Sequence, residues 1–126
     1  MKTNKEILEQ FGKYVGSDAF YSSYGSIVEI LNATCPNQMM QDKVELFSRF
    51  SSKEKKVIRE YIYELISGTL FDFLRIFEEH PEFKIVYEEN GQQVDLNKIS
   101  EMLKAEPIIE NGWIAKYSKE LNNETT

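Results

Sequence analysis

The chain has 126 residues, 41% of them hydrophobic and 29% charged, a size and balance that predict one globular domain over residues 1–126. A formal net charge of −6 argues against a nucleic-acid-binding protein, and no apolar run reaches the ~18 residues of a membrane-spanning helix. Cys35 is the only cysteine and the first residues lack a signal-peptide core, so we expect a cytoplasmic protein without an intrachain disulfide.

The first predicted element is an amphipathic helix. Thr3 and Glu6 have the spacing of a capping box, and apolar residues then recur at helical spacing up to Gly16. Because glycine often terminates helices, we predict that the first helix ends there. A second helix is predicted to end near Cys35 and Pro36, since a residue that precedes proline avoids the helical conformation.

The longest predicted element is a central helix over about 53–79. Asn37 is predicted to cap a shorter helix before it, and Ser51 with Glu54 repeats the capping-box spacing at its start. Gly68 lies inside it, and close approach of a neighbouring backbone is the predicted reason for a glycine there. Two adjacent apolar rows should be contacted from several directions: Val57, Tyr61, Leu65, Thr69, Phe73 and Phe77, and Ile58, Ile62, Ile66, Leu70 and Leu74.

After the central helix the apolar pattern becomes alternating, which is typical of β-strands. Asn90 and Gly91 separate two such runs, and this pair favours a two-residue hairpin turn because both positions need positive φ. A β-hairpin is therefore predicted over about 83–96, with its apolar face on the helices. The turn sets three facing pairs, Glu89 with Gln92, Tyr87 with Val94, and Ile85 with Leu96.

Two short helices are predicted after the hairpin. Asp95 or Asn97 can cap the first, which runs through Leu103, and Asn111 can start the second. The polar segment 122–126 predicts a flexible tail. The predicted fold is mainly α: a multi-helix single domain around a long central helix, with one β-hairpin.

Few residues offer common catalytic chemistry. His80 is the only histidine and Cys35 the only cysteine, and neither has a partner at the spacing of a catalytic or metal-binding motif. His80 suits the end of a helix, where the dipole favours positive charge, and Cys35 suits a buried thiol, although the two could meet in space. We predict a protein that is not an enzyme and has no cofactor and no metal.

A basic cluster at the start of the central helix raises the alternative of nucleic-acid binding. Its members are Arg49, Lys53, Lys55, Lys56 and Arg59. A helix-turn-helix would need a short turn and then a polar recognition helix. An uninterrupted apolar helix follows instead, so nucleic acid is not the predicted partner, and docking of another protein is a second explanation for the cluster.

The net negative charge is local. Between Glu78 and Glu110 there are nine acids and three bases, which equals the whole imbalance of the chain. We predict that this side of the fold binds a basic protein, with the acids steering the partner and Phe71 as an aromatic anchor unless another element covers it. The predicted contact residues are Phe71, Glu78, Glu79, Glu82, Glu88, Glu89 and Asp95.

The segment 67–79, Ser-Gly-Thr-Leu-Phe-Asp-Phe-Leu-Arg-Ile-Phe-Glu-Glu, and the acidic stretch after it carry a resemblance to a known class. In size, charge and helical content the chain resembles bacterial immunity proteins. That resemblance implies an inhibitor that neutralises a cognate toxin, such as a nuclease, and it assigns no binding residue. The alternative prediction is a structural or regulatory helical protein that forms a homo-oligomer through Phe71 or through Trp113 and Tyr117.

Overall fold

The first helical segment begins at the predicted cap and extends beyond the predicted end. In the computed structural model, which describes residues 1–118, Thr3 Oγ1 accepts a hydrogen bond from the backbone N–H of Glu6 at 3.2 Å. One continuous helical segment follows, and the predicted end at Gly16 is therefore wrong. Its three parts are α1 (Asn4–Lys13), a π-helical segment (Tyr14–Tyr21) and α2 (Ser22–Leu31).

Gly12 and Gly16 lie inside this helical segment because Trp113 packs on them. A Cβ atom at Gly12 would overlap the indole ring of Trp113. A Cβ atom at Gly16 would lie 2.6 Å from the backbone oxygen of Trp113 and 2.8 Å from Cβ of Tyr117. Both glycines therefore permit close packing between the two ends of the described chain, and Gly16 does not terminate a helix.

The π-helical segment keeps one row of residues directed at the core. Over this stretch buried residues recur at every fourth position, at Gly12, Gly16, Phe20, Tyr24 and Val28. A four-residue step in an α-helix overshoots a full turn by about 40°, so such a row would drift around the helix. The wider turns of the π-helix oppose that drift. The row consequently stays buried along its length, with Gly12 and Gly16 against Trp113 and with Phe20, Tyr24 and Val28 in the cluster that contains Ile114.

α2 ends at Leu31, earlier than the boundary predicted near Pro36. Ala33 adopts a positive φ of 58° and turns the chain. Asn37 then acts as the predicted cap, since its side chain accepts a backbone hydrogen bond at 2.9 Å and begins a short 3-10 turn. The helix that follows is α3 (Gln41–Ser48).

The predicted central helix is the longest element, α4 (Ser52–Glu79). Its capping box is formed: Ser51 Oγ accepts from the backbone N–H of Glu54 at 3.1 Å, and Glu54 Oε1 accepts from the backbone N–H of Ser51 at 2.8 Å. The hydrogen bond from the Ser51 backbone N–H, together with one from the Ser51 side chain, stabilises the carboxylate and lowers the pKa of Glu54. Both orphan N–H groups are thereby satisfied.

The row of α4 that contains Leu74 packs on the core, whereas in the other row only Phe77, near the end of the helix, is half-buried. Leu74 is buried, whereas Leu65, nine residues earlier and so on the opposite face, is 50% exposed. The prediction that both rows would be contacted is wrong for the row that contains Leu65. Gly68 also has open space around it, with no described atom within 4 Å of an added Cβ, so the predicted neighbouring backbone is not there.

The β-hairpin has the predicted turn and register. Asn90 and Gly91 adopt φ values of 52° and 80°, which a two-residue turn of this kind requires. Among the facing pairs are Glu89 with Gln92 and Tyr87 with Val94, and the strands are β1 (Val86–Glu89) and β2 (Gln92–Asp95). Ile85, Tyr87 and Val94 pack on the core, as the alternation predicts.

Short elements follow the hairpin. Asp95 caps α5 (Leu96–Ile99), with Oδ1 accepting from the backbone N–H of Asn97 at 3.0 Å. The helix predicted to continue to Leu103 is a single turn, followed by a separate 3-10 turn at Leu103–Ala105. The last described helix is α6 (Trp113–Tyr117). The tail predicted at 122–126 lies outside the described residues.

The core consists of two clusters of buried residues, and Leu70 of α4 packs against both. Trp113 meets the ring of Phe11 edge-on, with the ring centroids 5.6 Å apart, so α6 is joined to α1. The domain is therefore mainly α-helical, with its first and last described helices in contact. The clusters are Ile7, Val15, Leu74, Leu96, Leu103 and Trp113, and Phe20, Tyr24, Val28 and Ile114.

Candidate protein-binding surface

The predicted acidic contact residues lie at the C-terminal end of α4 and on the hairpin. Two are in the last turn of α4, one is in the loop that follows, two are in β1 and one ends β2. We call these residues the acidic set: Glu78, Glu79, Glu82, Glu88, Glu89 and Asp95.

Half of the acidic set interacts with neighbouring cationic side chains. The pairs are Glu78 with Lys104 (3.3 Å), Glu79 with Arg75 (3.7 Å), and Glu82 with His80 when the imidazole is protonated (3.7 Å). All three carboxylates are exposed, and surface ion pairs typically contribute less than about 1 kcal/mol. A partner can therefore approach these carboxylates at small energetic cost.

The other three carboxylates also accept hydrogen bonds within the domain. Glu89 Oε2 accepts from the backbone N–H of Lys2 at 3.2 Å, which lowers the pKa of Glu89 and ties the start of the chain to the hairpin. Glu88 accepts from Gln93 Nε2 at 3.4 Å, and Asp95 caps α5. A partner that contacts Glu89 or Asp95 must share an oxygen that already has a structural role.

The structure brings Glu78 and Asp95 to one depression of about 350 Å³ at the end of α4. Glu101 lines the same depression, together with Lys84 and Lys98. It has both polar and apolar walls, so it suits contact with a polar side chain from outside.

Glu101 was not singled out by sequence reasoning as a contact residue. It reaches the depression because Asp95 caps α5, and because Asn97 Nδ2 donates a hydrogen bond to the backbone oxygen of Phe77 at 3.2 Å. That hydrogen bond fastens α5 to the end of α4. The capping pattern at Asp95 was the available signal, but it does not reveal which helix α5 packs on.

Phe71 is half-buried. Lys104 Nζ lies 5.6 Å from the centroid of its ring, within the range of a cation–π interaction. Ile108 and Gly68 line a shallow depression that includes the same ring. Because Lys104 also pairs with Glu78, one lysine connects the predicted aromatic anchor to the acidic set.

Trp113 and Tyr117, the alternative contacts predicted for a homo-oligomer, lie against the core. Trp113 is 5% exposed and packs on Phe11 and Gly12, so it serves the core and is not accessible to a second chain. Tyr117 is half-buried against the same cluster, and burial raises its pKa. These two residues do not form an exposed aromatic surface.

Cys35 and His80 belong to different segments of the chain and have different surroundings. Cys35 is half-buried in the loop after α2, whereas His80 is exposed at the end of α4 and lies near Glu82. Within residues 1–118 no hydrogen bond joins the two, and no group of three or more His, Cys, Asp or Glu side chains could hold a metal ion. That the chain is not an enzyme stays a prediction.

An apolar depression lies between α1 and the hairpin, lined in part by Ile7, Phe11 and Tyr87. Its volume is about 210 Å³. Pockets for small molecules and cofactors usually enclose about 300–1,000 Å³. The volume of this depression lies below that range.

The basic cluster is partly neutralised on its own helices. Arg49 pairs with Glu45 at 3.3 Å, and Lys56 pairs with Glu60 at 3.9 Å. α4 continues past the cluster to Glu79 without the turn that a helix-turn-helix requires.

No helix in residues 1–118 combines the length and apolar character needed to cross a membrane. Comparisons of the chain with protein-family models, with curated proteins and with solved structures found no match. The immunity-type identity therefore continues to rest on size, charge and helical content alone, and it stays a prediction.

Proposed function

We propose that the chain is a non-enzymatic protein-binding module that uses the acidic set to bind a basic partner protein. The observation that carries the proposal is the charge distribution: nine acids against three bases between Glu78 and Glu110, in a chain that is otherwise neutral in sum. Local excess charge of one sign attracts an oppositely charged partner and orients its approach.

The state of the carboxylates supports the same proposal. Glu78, Glu79 and Glu82 are exposed at the end of α4, and their ion pairs are of the weak surface kind. Lys84 and Lys98 are the local bases that a partner would meet beside them. A cationic partner can replace these interactions with more of its own, because an arginine can bind a carboxylate through two hydrogen bonds.

Charge alone gives speed and orientation more than affinity, so apolar contacts are also needed. Exposed apolar side chains occur in the same part of the sequence: Phe83 is 61% exposed and Met102 is 50% exposed. With the half-buried ring of Phe71, they offer the kind of side chain that carries most binding energy in protein interfaces.

The resemblance to bacterial immunity proteins suggests the class of partner. An inhibitor of this class needs no chemistry of its own, because it neutralises the toxin by binding to it. We therefore propose a basic toxin, such as a nuclease, as the first partner to test.

The experiment measures binding of the purified chain to a panel of purified basic proteins that includes nucleases, at 50 mM and 300 mM salt. We expect at least one tight complex whose dissociation constant rises about tenfold or more at high salt. The test variant is Glu78→Lys, Glu82→Lys, Glu88→Lys, which should weaken that complex by at least tenfold.

The matched control is Glu9→Lys, Glu29→Lys, Glu45→Lys, which changes the net charge equally at exposed acids outside the acidic set. It should retain most of the affinity. Equal losses in the two triple variants would mean that only total charge matters, and would overturn the assignment of the acidic set. Absence of any salt-sensitive complex would overturn the proposed function.

A further inference from the structure

α4 presents an apolar face that nothing in residues 1–118 covers. Side chains at every fourth position form what we call the outer row: Val57, Tyr61, Leu65, Thr69 and Phe73. It spans about 24 Å of helix. Within the row Val57, Tyr61, Leu65 and Phe73 are 58%, 60%, 50% and 56% exposed, and the neighbouring Ile76 is 44% exposed.

The exposed area of these side chains is large enough to suggest a contact. About half of each of the five large apolar side chains is exposed, which amounts to roughly 500 Å² of apolar surface. Contiguous patches of this size on monomers are often functional. The internal core contacts a different face of α4, where Ser67 and Leu74 are buried.

Gly68 provides an independent indication of a helix packed from outside. It lies beside the outer row, and no described atom lies within 4 Å of an added Cβ. A glycine inside a helix costs about 1 kcal/mol relative to alanine, and here no close contact within the described chain compensates. Glycine on a helix surface allows another backbone to come close, so its position suits an intermolecular neighbour.

A groove beside the outer row offers a place for a large side chain. It has a volume of about 470 Å³ and runs between α4 and the helical segment that contains the π-helix. Small side chains, Ala19, Ser22 and Ser23, line one wall, and Leu65 and Thr69 of the outer row line the other. The groove and the outer row therefore form one continuous surface.

The charges on α4 favour an antiparallel neighbour of the same kind. Its first nine residues, 52–60, contain four bases and two acids, and its last nine, 71–79, contain three acids and one base. Two antiparallel copies would place the basic end of each helix beside the acidic end of the other. Two parallel copies would place like charges together. The centre of the outer row, Leu65, also lies at the middle of the helix.

We propose that the outer row is a homodimer surface, on which α4 of a second copy packs antiparallel about a two-fold axis at Leu65. This arrangement sets Tyr61 of each copy opposite Thr69 and the groove of the other. Because the row turns about 40° around the helix at each step, Val57 and Phe73 lie about 80° to either side of Leu65, at the edges of the contact. A two-fold axis makes the contact self-complementary and closed. Both copies together bury at most about 1,000 Å² of apolar surface, below the usual size of specific interfaces, so we expect a weak dimer.

The first test is the solution mass of the full chain between 1 and 500 μM by sedimentation equilibrium. We expect a reversible monomer–dimer equilibrium. Leu65→Asp should raise the dissociation constant at least tenfold, because each dimer then buries two uncompensated carboxylates. Leu46→Asp is the matched control, since Leu46 of α3 is a leucine of nearly equal exposure (49%) outside the outer row, and its replacement should leave the equilibrium unchanged.

Helix content from circular dichroism checks that both variants fold. A chain that stays monomeric at every concentration would overturn the proposal. So would equal effects of Leu65→Asp and Leu46→Asp. Concentration-independent monomers that bind phosphatidylcholine–phosphatidylglycerol vesicles, and lose that binding in Leu65→Asp, would assign the outer row to a lipid surface instead.

The second test determines the orientation by cross-linking. In a Cys35→Ser background, Tyr61→Cys and Thr69→Cys are made as separate chains, mixed and oxidised. The antiparallel dimer places positions 61 and 69 opposite each other, so the mixed disulfide should dominate. Two copies of position 61 would lie about 12 Å apart along the axis, beyond the reach of a disulfide. A dominant disulfide between two Tyr61→Cys chains would show a parallel dimer and overturn the proposed orientation.

This dimer is separate from binding of a basic partner. The outer row runs along α4, whereas Glu82 and Glu88 lie in the loop and strand beyond its end. Glu82→Lys, Glu88→Lys should weaken the basic partner and leave the dimer intact. The two proposals can therefore fail independently.

Discussion

At the scale of single residues, the glycines of this chain show how one residue type meets different physical demands. Gly12 is required by the indole ring that packs on it, and Gly91 by its φ of 80°. Gly68 meets neither demand within residues 1–118. The sequence identifies Gly91 through the preceding Asn90 as a turn residue, whereas Gly12 and Gly68 look alike: a glycine inside a helical pattern predicts a stop or a close contact without saying which.

Gly12→Ala should destabilise the domain by about 1–3 kcal/mol, because the added methyl group overlaps Trp113 and forces the packing of α6 to shift. This loss outweighs the gain in helix propensity of about 1 kcal/mol. Urea denaturation at low protein concentration measures the difference. The control is Gly68→Ala, which meets open space and should stabilise the monomer by up to about 1 kcal/mol. Equal stabilisation by both substitutions would contradict the packing role of Gly12.

Glu106 should make the stability depend on pH. Burial raises the pKa of its carboxyl group, and the negative charge of Glu101 acts in the same direction against the positive charge of Lys116. Because the pKa is higher in the folded state, folding favours the protonated form. Its stabilising contribution is present below the ordinary pKa of a glutamate, and is lost as the pH rises through the folded pKa.

Glu106→Gln should therefore be more stable than the parent above that pH range, by up to about 0.5 kcal/mol after allowance for solvent screening. The advantage should vanish at lower pH, where the parent carboxyl is protonated. Urea denaturation at pH 4 and pH 7.5 tests this expectation. Glu110→Gln, at an exposed position, is the comparison. A Glu106→Gln variant that is less stable at pH 7.5 would show that the carboxylate is stabilising.

At the scale of elements, the sequence correctly predicted those elements whose ends and turns are formed by residues close together along the chain. The capping box of α4 and the turn of the hairpin both depend on residues within three or four positions of one another. Local pattern therefore sufficed for their start, type and register. The prediction of a helix through Leu103 was wrong, because α5 is a single turn that docks on the end of α4. That contact joins distant parts of the chain.

The prediction that the first helix ends at Gly16 was wrong for a similar reason. The four-residue spacing from Gly12 to Val28 is visible in the sequence, yet it does not say that the chain forms a π-helix to keep that row on one face. The partner that makes the spacing useful, α6, lies about a hundred residues later. Tertiary packing decided between a stop at Gly16 and a continuous helix.

The hairpin turn gives the prediction at this scale. Gly91→Ala should destabilise the domain by about 1–2 kcal/mol, because a residue with a side chain is strained at a φ of 80°. The loss affects the whole domain since Tyr87 and Val94 pack on the core. The free energy of unfolding from urea denaturation measures it. Gln92→Ala, an exposed hairpin position, should change the free energy little; a similar loss there would contradict a cause specific to φ.

At the scale of the whole molecule, the contact of α1 with α6 joins the two ends of the described chain. Trp113, the only tryptophan, lies in that contact and packs in the same cluster as Leu74 of α4 and Leu96 after the hairpin. Loss of this cluster removes the partners of four elements at once. Unfolding should therefore be cooperative.

We expect urea unfolding followed by Trp113 fluorescence and by far-ultraviolet circular dichroism to give coincident transitions. The first signal reports the contact between α1 and α6, and the second reports all helices. An earlier transition in fluorescence would show that α6 detaches before the rest. Gly12→Ala should shift both transitions together.

For the candidate binding residues too, some features follow from the sequence and others only from the structure. The excess of acids between Glu78 and Glu110 is a property of the sequence alone, because charge can be counted without knowing the fold. Only the structure brings Glu101 beside Glu78, places Phe71 against Lys104 and buries Trp113. The exposed outer row was visible as an apolar row, but its exposure depends on which side of α4 the other helices occupy.

The sequence by itself determined the charge distribution, the capping of α4, the hairpin turn and the mainly α-helical class, since each depends on composition or on neighbours close along the chain. Tertiary structure decided which apolar row of α4 is buried, why Gly12 and Gly16 are glycine, and where α5 docks. These features depend on contacts between residues far apart in sequence. Periodicity shows that a helix has an apolar face, and packing geometry alone determines what covers it.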